Sequence, residues 1–252
     1  MLPGSGSDEV FIRSVFADAL AAVGVDLVAP APRRGADVVV GYQAALDAAG
    51  PGPVLVGGIS LGAHVAARWT AAAPRGRVAG LLLALPAWTG SPGAAPAAVM
   101  ARATAARARS GGVAAAVAAT AGAPSWLVAE LRRAWAGYGT GLAAALEAAA
   151  DEPAPAAAEL TGLDVPVGVA ALVDDPVHPL EVAEDWHAAS PRSALVTTTL
   201  AAFGTDPGTL GRAAVLAWLR AAASTPPAGR AERPQGGQTA ARLRRPPRAP
   251  GR

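Results

Sequence analysis

The sequence predicts an α/β fold, in which a mostly parallel sheet of about six strands carries helices on both faces and a helical insertion. Short apolar runs alternate with helical runs along most of the chain, which is typical of parallel strands joined by helices. Residues 165–173 are continuously apolar, as expected for a strand buried on both faces. An Ala-rich interval at residues 89–164 interrupts the alternation and predicts the insertion.

The first part of the chain contains four predicted strands and three predicted helices. The helices have apolar residues at helical spacing, and the strands are short apolar runs bounded by Gly, Pro or Asp. The predicted strands are residues 1–3, 26–29, 54–57 and 78–85, and the predicted helices are residues 9–23, 36–49 and 63–73.

The second part of the chain begins with the interval at residues 89–164, which we call the helical insertion. Its position beside one edge of the predicted sheet suggests a lid, although an ordinary helical packing layer has the same pattern. Helices are predicted at residues 95–109, 113–119, 125–136 and 141–150 within it, and strand–helix alternation resumes with strands 165–173 and 194–200 and helices 180–189 and 207–222. The predicted core is therefore residues 1–88 and 165–222.

Charge is distributed unevenly between the predicted core and the C-terminal tail. Residues 223–252 are rich in Pro, Gly and Arg, which predicts a disordered tail. This tail carries a net charge of +6 and the whole chain +2, so residues 1–222 carry −4. An Arg-rich tail can contact nucleic acid, but a solvated extension is the simpler interpretation, and we expect no nucleic-acid partner.

Composition excludes several classes of chemistry. The chain has no Cys, so it forms no disulfide and has no thiolate nucleophile. It also lacks Lys, which excludes a phosphate-binding loop of the Gly-x-x-x-x-Gly-Lys type. Three scattered His residues form no metal-ligand spacing, so we expect neither a metal nor a cofactor. No signal peptide or membrane span is evident, and we expect a cytoplasmic protein.

The most informative motif is Gly58-Ile59-Ser60-Leu61-Gly62, placed between an apolar run and an Ala-rich helical run. This context predicts a nucleophile elbow, a sharp strand-to-helix turn that exposes a serine hydroxyl above the sheet. Gly58 and Gly62 fit such a turn, because strand and helix backbones approach too closely for side chains there. The alternative is an ordinary turn in which Ser60 only caps the helix.

With this motif, the order of elements resembles the α/β-hydrolase fold over nearly all of residues 1–222, although the first strands of that fold are missing. The resemblance implies a triad acid in the segment after the strand that follows the insertion, namely Asp175, with Asp174 as the fallback. Residues 2–6 resemble the first oxyanion loop, with Pro3 where His is usual. The resemblance therefore implies an oxyanion hole formed by the N–H groups of Ser5 and Leu61.

The catalytic base is where the sequence departs from this pattern. The family usually supplies a His after the last strand, but residues 200–207, which we expect to form a loop, contain none. His178 follows Asp175 by three residues at the same edge of the sheet, and it is the one His with a credible path to Ser60. His64, one turn into the elbow helix, is expected to have a structural role, and His187 a surface position.

These residues predict a serine hydrolase that acts on an ester, thioester or amide of a small apolar acyl compound. Ser60 would attack the acyl carbon, His178 would accept the hydroxyl proton, and Asp175 would orient the His178 ring. Trp88, after a strand end, is expected to line the substrate pocket, although core packing is equally consistent. The alternative is a non-catalytic hydrolase-like protein that binds a small ligand or a partner. A Ser60–His178 separation within about 4 Å favours the enzyme, and one beyond about 8 Å favours the alternative.

Overall fold

The computed structural model describes residues 1–224 and contains one parallel sheet. The strand order is the same as the chain order, and each neighbouring pair is parallel. The strands are β1 (Val54–Ile59), β2 (Val78–Ala84), β3 (Val167–Leu172) and β4 (Ser193–Thr198). All six residues of β3 are buried, as its continuous apolar pattern predicts.

The sheet has four strands within residues 1–224, fewer than the six predicted. The two missing strands are the short N-terminal ones. Leu2 forms only a single parallel bridge with Gly58, beside β1. Residues 26–29 form no strand, and their link to the sheet is a hydrogen bond from the Met1 amino group to the Val28 carbonyl, 2.6 Å long. Neither segment builds a ladder of backbone hydrogen bonds with a neighbouring strand of the described sheet.

Helices cover both faces of the sheet, as predicted. One face packs against α1 (Glu9–Ala21) and the C-terminal helix α10, and the other against α2, α3, α8 and the helical insertion. The remaining helices of the core are α2 (Val38–Asp47), α3 (Leu61–Ala72), α8 (Leu180–Ala189), α9 (Leu200–Thr205) and α10 (Gly208–Ala223). The expected loop at residues 200–207 is therefore largely the short helix α9, which Thr199 caps by accepting a hydrogen bond from the Ala202 N–H.

The helical insertion lies in the crossover between β2 and β3. Its first helix bends at Gly111 and Gly112, where the backbone leaves helical geometry, and the sequence accordingly predicts two helices there. A short fourth helix was not predicted. The helices are α4 (Pro96–Ala118), α5 (Ser125–Tyr138), α6 (Leu142–Asp151) and α7 (Ala157–Thr161).

The C-terminal tail and the hydropathy of the helices complete the description of the fold. The predicted tail, residues 223–252, lies outside the described residues except for Ala223, which ends α10, and Ser224. No helix within residues 1–224 combines the length and the hydropathy that a membrane crossing requires.

Candidate active site

Ser60 lies between β1 and α3 in a strained backbone conformation. Its φ of 52° and ψ of −115° are rare for a residue with a side chain. Its hydroxyl makes no hydrogen bond that caps α3, so the alternative interpretation of Ser60 as a helix cap does not describe this turn. Strain of this kind is found where a turn must present a side chain for chemistry.

The two glycines of the elbow are required by close backbone contacts. A Cβ atom built on Gly58 would lie 2.5 Å from the Leu2 carbonyl oxygen and 2.7 Å from the Gly62 carbonyl carbon. A Cβ atom built on Gly62 would lie 2.2 Å from the same Leu2 oxygen. The N-terminal segment therefore passes directly against the elbow, which places residues 3–5 beside Ser60.

Ser60, His178 and Asp175 form one hydrogen-bonded chain. The Ser60 Oγ lies 3.1 Å from His178 Nε2, and His178 Nδ1 lies 2.8 Å from Asp175 Oδ2. An ionised carboxylate only accepts hydrogen bonds, so Nδ1 carries the proton in the neutral ring and Nε2 accepts a hydrogen bond from the Ser60 hydroxyl. The structure thus brings together the three residues that the sequence singled out.

The short segment after β3 explains how Asp175 and His178 reach each other. Asp175 Oδ1 accepts a hydrogen bond from the Val177 N–H at 2.8 Å, which turns the chain back on itself. Its other oxygen, Oδ2, then faces His178, three residues later. The side chains of Asp175 and His178 are only 9% and 17% exposed, so their hydrogen bond is largely shielded from solvent.

The charge of Asp175 is maintained by its neighbours. Burial alone would raise the pKa of this carboxyl. The hydrogen bond and charge interaction with the His178 ring, and hydrogen bonds from the backbone N–H groups of Val177 and His178, lower the pKa below its ordinary value. Asp175 is therefore ionised at neutral pH and can stabilise an imidazolium ring beside it.

Asp174, the fallback acid, has a different contact. Its Oδ1 accepts a hydrogen bond from the Leu200 N–H, 2.6 Å away, at the start of α9. The structure therefore places Asp175, and not Asp174, against His178.

Two backbone N–H groups close to Ser60 belong to the residues that the sequence analysis assigns to an oxyanion hole, Ser5 and Leu61. Within residues 1–224 neither the Ser5 nor the Leu61 N–H donates to a backbone carbonyl. Leu61 follows Ser60 directly, and a Cβ atom built on Gly4, next to Ser5, would lie 3.6 Å from the Ser60 Cβ. Leu61 is also the first residue of α3, so the helix N-terminus favours negative charge at this point.

Comparison with solved structures agrees with this architecture. An esterase from Thermogutta terrifontis superposes with a TM-score of 0.58 at 23% identity, covering 79% of each chain. A bromoperoxidase from Bacillus anthracis gives 0.64 at 15% identity, covering 87% of this chain and 90% of that one. An enol-lactonase from Burkholderia xenovorans LB400 gives 0.58 at 17% identity, covering 78% and 81%. The chain has the α/β-hydrolase fold. No protein-family model and no curated protein matches the sequence.

In this α/β-hydrolase fold, His64 has a structural contact. It is fully buried, and its Nε2 accepts a hydrogen bond from the Ala87 N–H at 3.0 Å, which anchors the segment after β2. Burial, together with a smaller effect of the neighbouring His178, lowers the pKa of His64 to about 3, so the ring is neutral. His187 hydrogen-bonds Ser193 through Nδ1 at 2.7 Å and is half-buried.

Trp88 packs edge-on against His64, with the ring centroids 4.5 Å apart, and only 7% of it is exposed. Trp88 therefore has the core packing that was one of its two roles consistent with the sequence. The other role, contact with a substrate, stays a prediction. No group of three or more His, Asp or Glu side chains in the described part of the chain could hold a metal ion.

The sequence reasoning missed the side chains that hold the Ser5 segment. Tyr138 and Arg133, both on α5, contact Ser7 and Asp8. These pairs are more than a hundred residues apart in the chain, and no spacing pattern connects them.

Proposed function

We propose that this protein is a serine hydrolase that cleaves an ester, thioester or amide of a small apolar acyl compound. The observation that carries the proposal is the 3.1 Å contact between Ser60 Oγ and His178 Nε2, with Asp175 on the other ring nitrogen. This separation lies within the limit of about 4 Å that favours an enzyme over a ligand-binding relative of this fold.

The proposed reaction proceeds through an acyl-enzyme. Ser60 Oγ attacks the acyl carbon while His178 Nε2 accepts its proton, and the N–H groups of Ser5 and Leu61 stabilise the oxyanion. His178 then returns the proton to the leaving alcohol, thiol or amine. A water molecule then attacks the acyl carbon while His178 accepts its proton. His178 returns that proton to the Ser60 oxygen, which releases the acid and restores the hydroxyl.

The preference for a small apolar acyl group rests on the surroundings of Ser60. Only 6% of Ser60 is exposed, so space at the nucleophile is limited. The helical insertion is rich in Ala, with buried Trp and Leu residues, which favours an apolar acyl chain over a charged one. We propose that the insertion acts as a lid over Ser60.

Labelling with a fluorophosphonate probe tests this proposal, with His187→Ala as a matched control for His178→Ala. We expect the wild type to label, Ser60→Ala not to label, and His178→Ala to label at least about a hundred times more slowly, because the hydroxyl loses its base. His187→Ala should label like the wild type. Hydrolysis of p-nitrophenyl acetate, butyrate and octanoate would measure the acyl-chain preference.

A correctly folded wild type that does not label would overturn the proposal and favour a non-catalytic protein that binds a small ligand or a partner. Labelling that is lost in Ser60→Ala but unchanged in His178→Ala would leave a hydrolase with a different base.

A further inference from the structure

The backbone at residues 4–7 forms a tight turn beside Ser60. The Ser7 N–H donates to the Gly4 carbonyl at 3.1 Å, and Gly6 has a φ of 68°. This pairing and the positive φ at the third residue are typical of a type II turn, which favours Gly at that position. Ser5 is the second residue of the turn, so the shape of the turn determines where the Ser5 N–H points.

Two side chains of α5 contact this turn from the helical insertion. The Tyr138 hydroxyl donates to the Ser7 carbonyl at 2.7 Å, and Tyr138 is only 3% exposed. Trp135 lies against Gly6, since a Cβ atom built on Gly6 would be 2.7 Å from the indole Nε1. The turn is therefore held by one hydrogen bond and one close packing contact from the same helix.

A third residue of α5 holds the end of the turn. Arg133 donates from Nη1 to Asp8 Oδ2 at 2.6 Å and from Nη2 to Asp8 Oδ1 at 2.8 Å, a two-point contact that fixes orientation as well as distance. Asp8 Oδ1 also caps α1 by accepting from the N–H groups of Val10 and Phe11. Asp8 thus joins the turn, α1 and the insertion.

The charge on Asp8 is maintained in this position. Partial burial would raise the pKa of the carboxyl, but hydrogen bonds from Arg133 and from the Phe11 and Val10 N–H groups lower it below its ordinary value. The contact is therefore an ion pair at neutral pH.

We propose that α5 of the helical insertion sets the position of the Ser5 N–H as an oxyanion donor, with Tyr138 and Arg133 as positioning residues. The inference rests on the proposed function, because it concerns a donor for that reaction. Neither residue has to touch the substrate, since each acts through the backbone of the Ser5 turn. Misplacing a donor by a fraction of an ångström weakens it in the transition state more than in the ground state.

The test compares Tyr138→Phe and Arg133→Gln with Arg102→Gln. Arg102 makes the same kind of contact within the insertion, donating to Asp151 Oδ1 from Nε at 3.3 Å and from Nη2 at 2.9 Å, but it has no hydrogen bond to the turn among the described residues. With p-nitrophenyl acetate we expect kcat to fall about tenfold or more in the first two variants, with KM within about twofold, because one oxyanion donor is worth about 100- to 1,000-fold in rate. Arg102→Gln should keep the wild-type kcat.

Binding of a boronic acid, which becomes anionic and tetrahedral on Ser60, gives a second measurement. A loss of affinity parallel to the loss of kcat/KM would show that the oxyanion site is affected. Thermal unfolding of each variant is the stability control: a variant that loses kcat but keeps the wild-type Tm has not lost activity through unfolding.

The two proposals fail in different ways. If the wild type labels and turns over but Tyr138→Phe and Arg133→Gln keep its kcat, or Arg102→Gln loses as much as Arg133→Gln, the role of α5 is overturned and the hydrolase remains. If the wild type neither labels nor turns over, the proposed function is overturned, and the role of Ser5 with it.

Discussion

The strand–helix core and the helical insertion are packed by different means. In the core, backbones touch: a Cβ atom built on Gly168 of β3 would lie 2.5 Å from the Ala214 carbonyl oxygen of α10. In α5 of the insertion, a Cβ atom built on Gly137 would meet nothing within 4 Å, whereas one built on Gly141, before α6, would lie 3.0 Å from the Gly35 nitrogen. There the helices are joined by small apolar residues and by pairs of charged side chains.

The two regions also hold different parts of the candidate site. The core places Ser60 after β1 and Asp175 and His178 after β3, on either side of β2, through turns of a few residues. The insertion contacts the Ser5 turn through side chains of α5. We therefore expect substitutions in the core to affect folding or the chemistry of Ser60 strongly, and substitutions in the insertion to be tolerated unless they face the turn.

The largest expected effect is a loss of kcat on substitution of Asp175, compared with substitution of its neighbour Asp174. Asp175→Asn would place an amide N–H group against His178 Nδ1 and favour the wrong tautomer, so we expect kcat to fall by roughly 10⁴-fold. Asp174→Asn keeps an oxygen for the Leu200 N–H and should stay within about twofold of the wild type. Steady-state kinetics with p-nitrophenyl acetate measure both. Equal losses in the two variants would contradict the assignment of Asp175.

Two helical glycines test the packing difference directly. In α10, a Cβ atom on Gly211 would lie 1.9 Å from the Val15 carbonyl oxygen of α1, so Gly211→Ala should destabilise the protein by about 2–3 kcal/mol. In α5, Gly137→Ala meets open space and should stabilise it by about 0.5–1 kcal/mol through helix propensity. Urea unfolding followed by circular dichroism gives both values. Similar losses in both variants would mean that the insertion is as tightly packed as the core.

The third prediction concerns His64, which anchors Ala87 just before the insertion begins. The pKa of His64 falls on folding from an ordinary value of 6.5 to about 3, so between these values the unfolded chain binds a proton that the folded chain does not. The free energy of unfolding must therefore fall as the pH falls through this window. From pH 7 to pH 5, we expect the wild type to lose about 2 kcal/mol more than His64→Gln, which does not titrate.

Urea unfolding of both proteins at the two pH values measures this difference. Other titrating groups, including Asp175, are common to both proteins and cancel. Parallel pH profiles would show that folding does not lower the pKa of His64.

The sequence could predict those parts of the molecule that depend on neighbouring residues. The elbow depends on Gly58 and Gly62 around Ser60, and the contact of Asp175 with His178 spans three residues. The four strands and most of the helices follow from apolar spacing, and the break in α4 follows from Gly111 and Gly112. Catalytic roles for these residues stay predictions until the labelling experiment is done.

The features that the sequence did not predict depend on distant parts of the chain or on very short elements. The contacts of Tyr138 and Arg133 with Ser7 and Asp8 join segments more than a hundred residues apart. Helix α9 has six residues, too few to show an apolar period, and it is stabilised partly by Asp174 from another loop. Residues 26–29 look like a strand locally, but strand formation also requires a paired neighbour.

The position of the helical insertion has a consequence for protein engineering. Residues 81–84 of β2 pair with residues 167–170 of β3, so the sheet fixes where the crossover leaves, after Ala84, and where it returns, at Val167, whatever lies between. Loop-closure entropy rises slowly with length, by only about 0.6 kcal/mol for each doubling, so a crossover of quite different size could replace this one. A chimeric protein with an exchanged insertion would have to cover the same face of the sheet with apolar side chains, and its new crossover would have to supply a hydroxyl donor and a cation in the places of Tyr138 and Arg133.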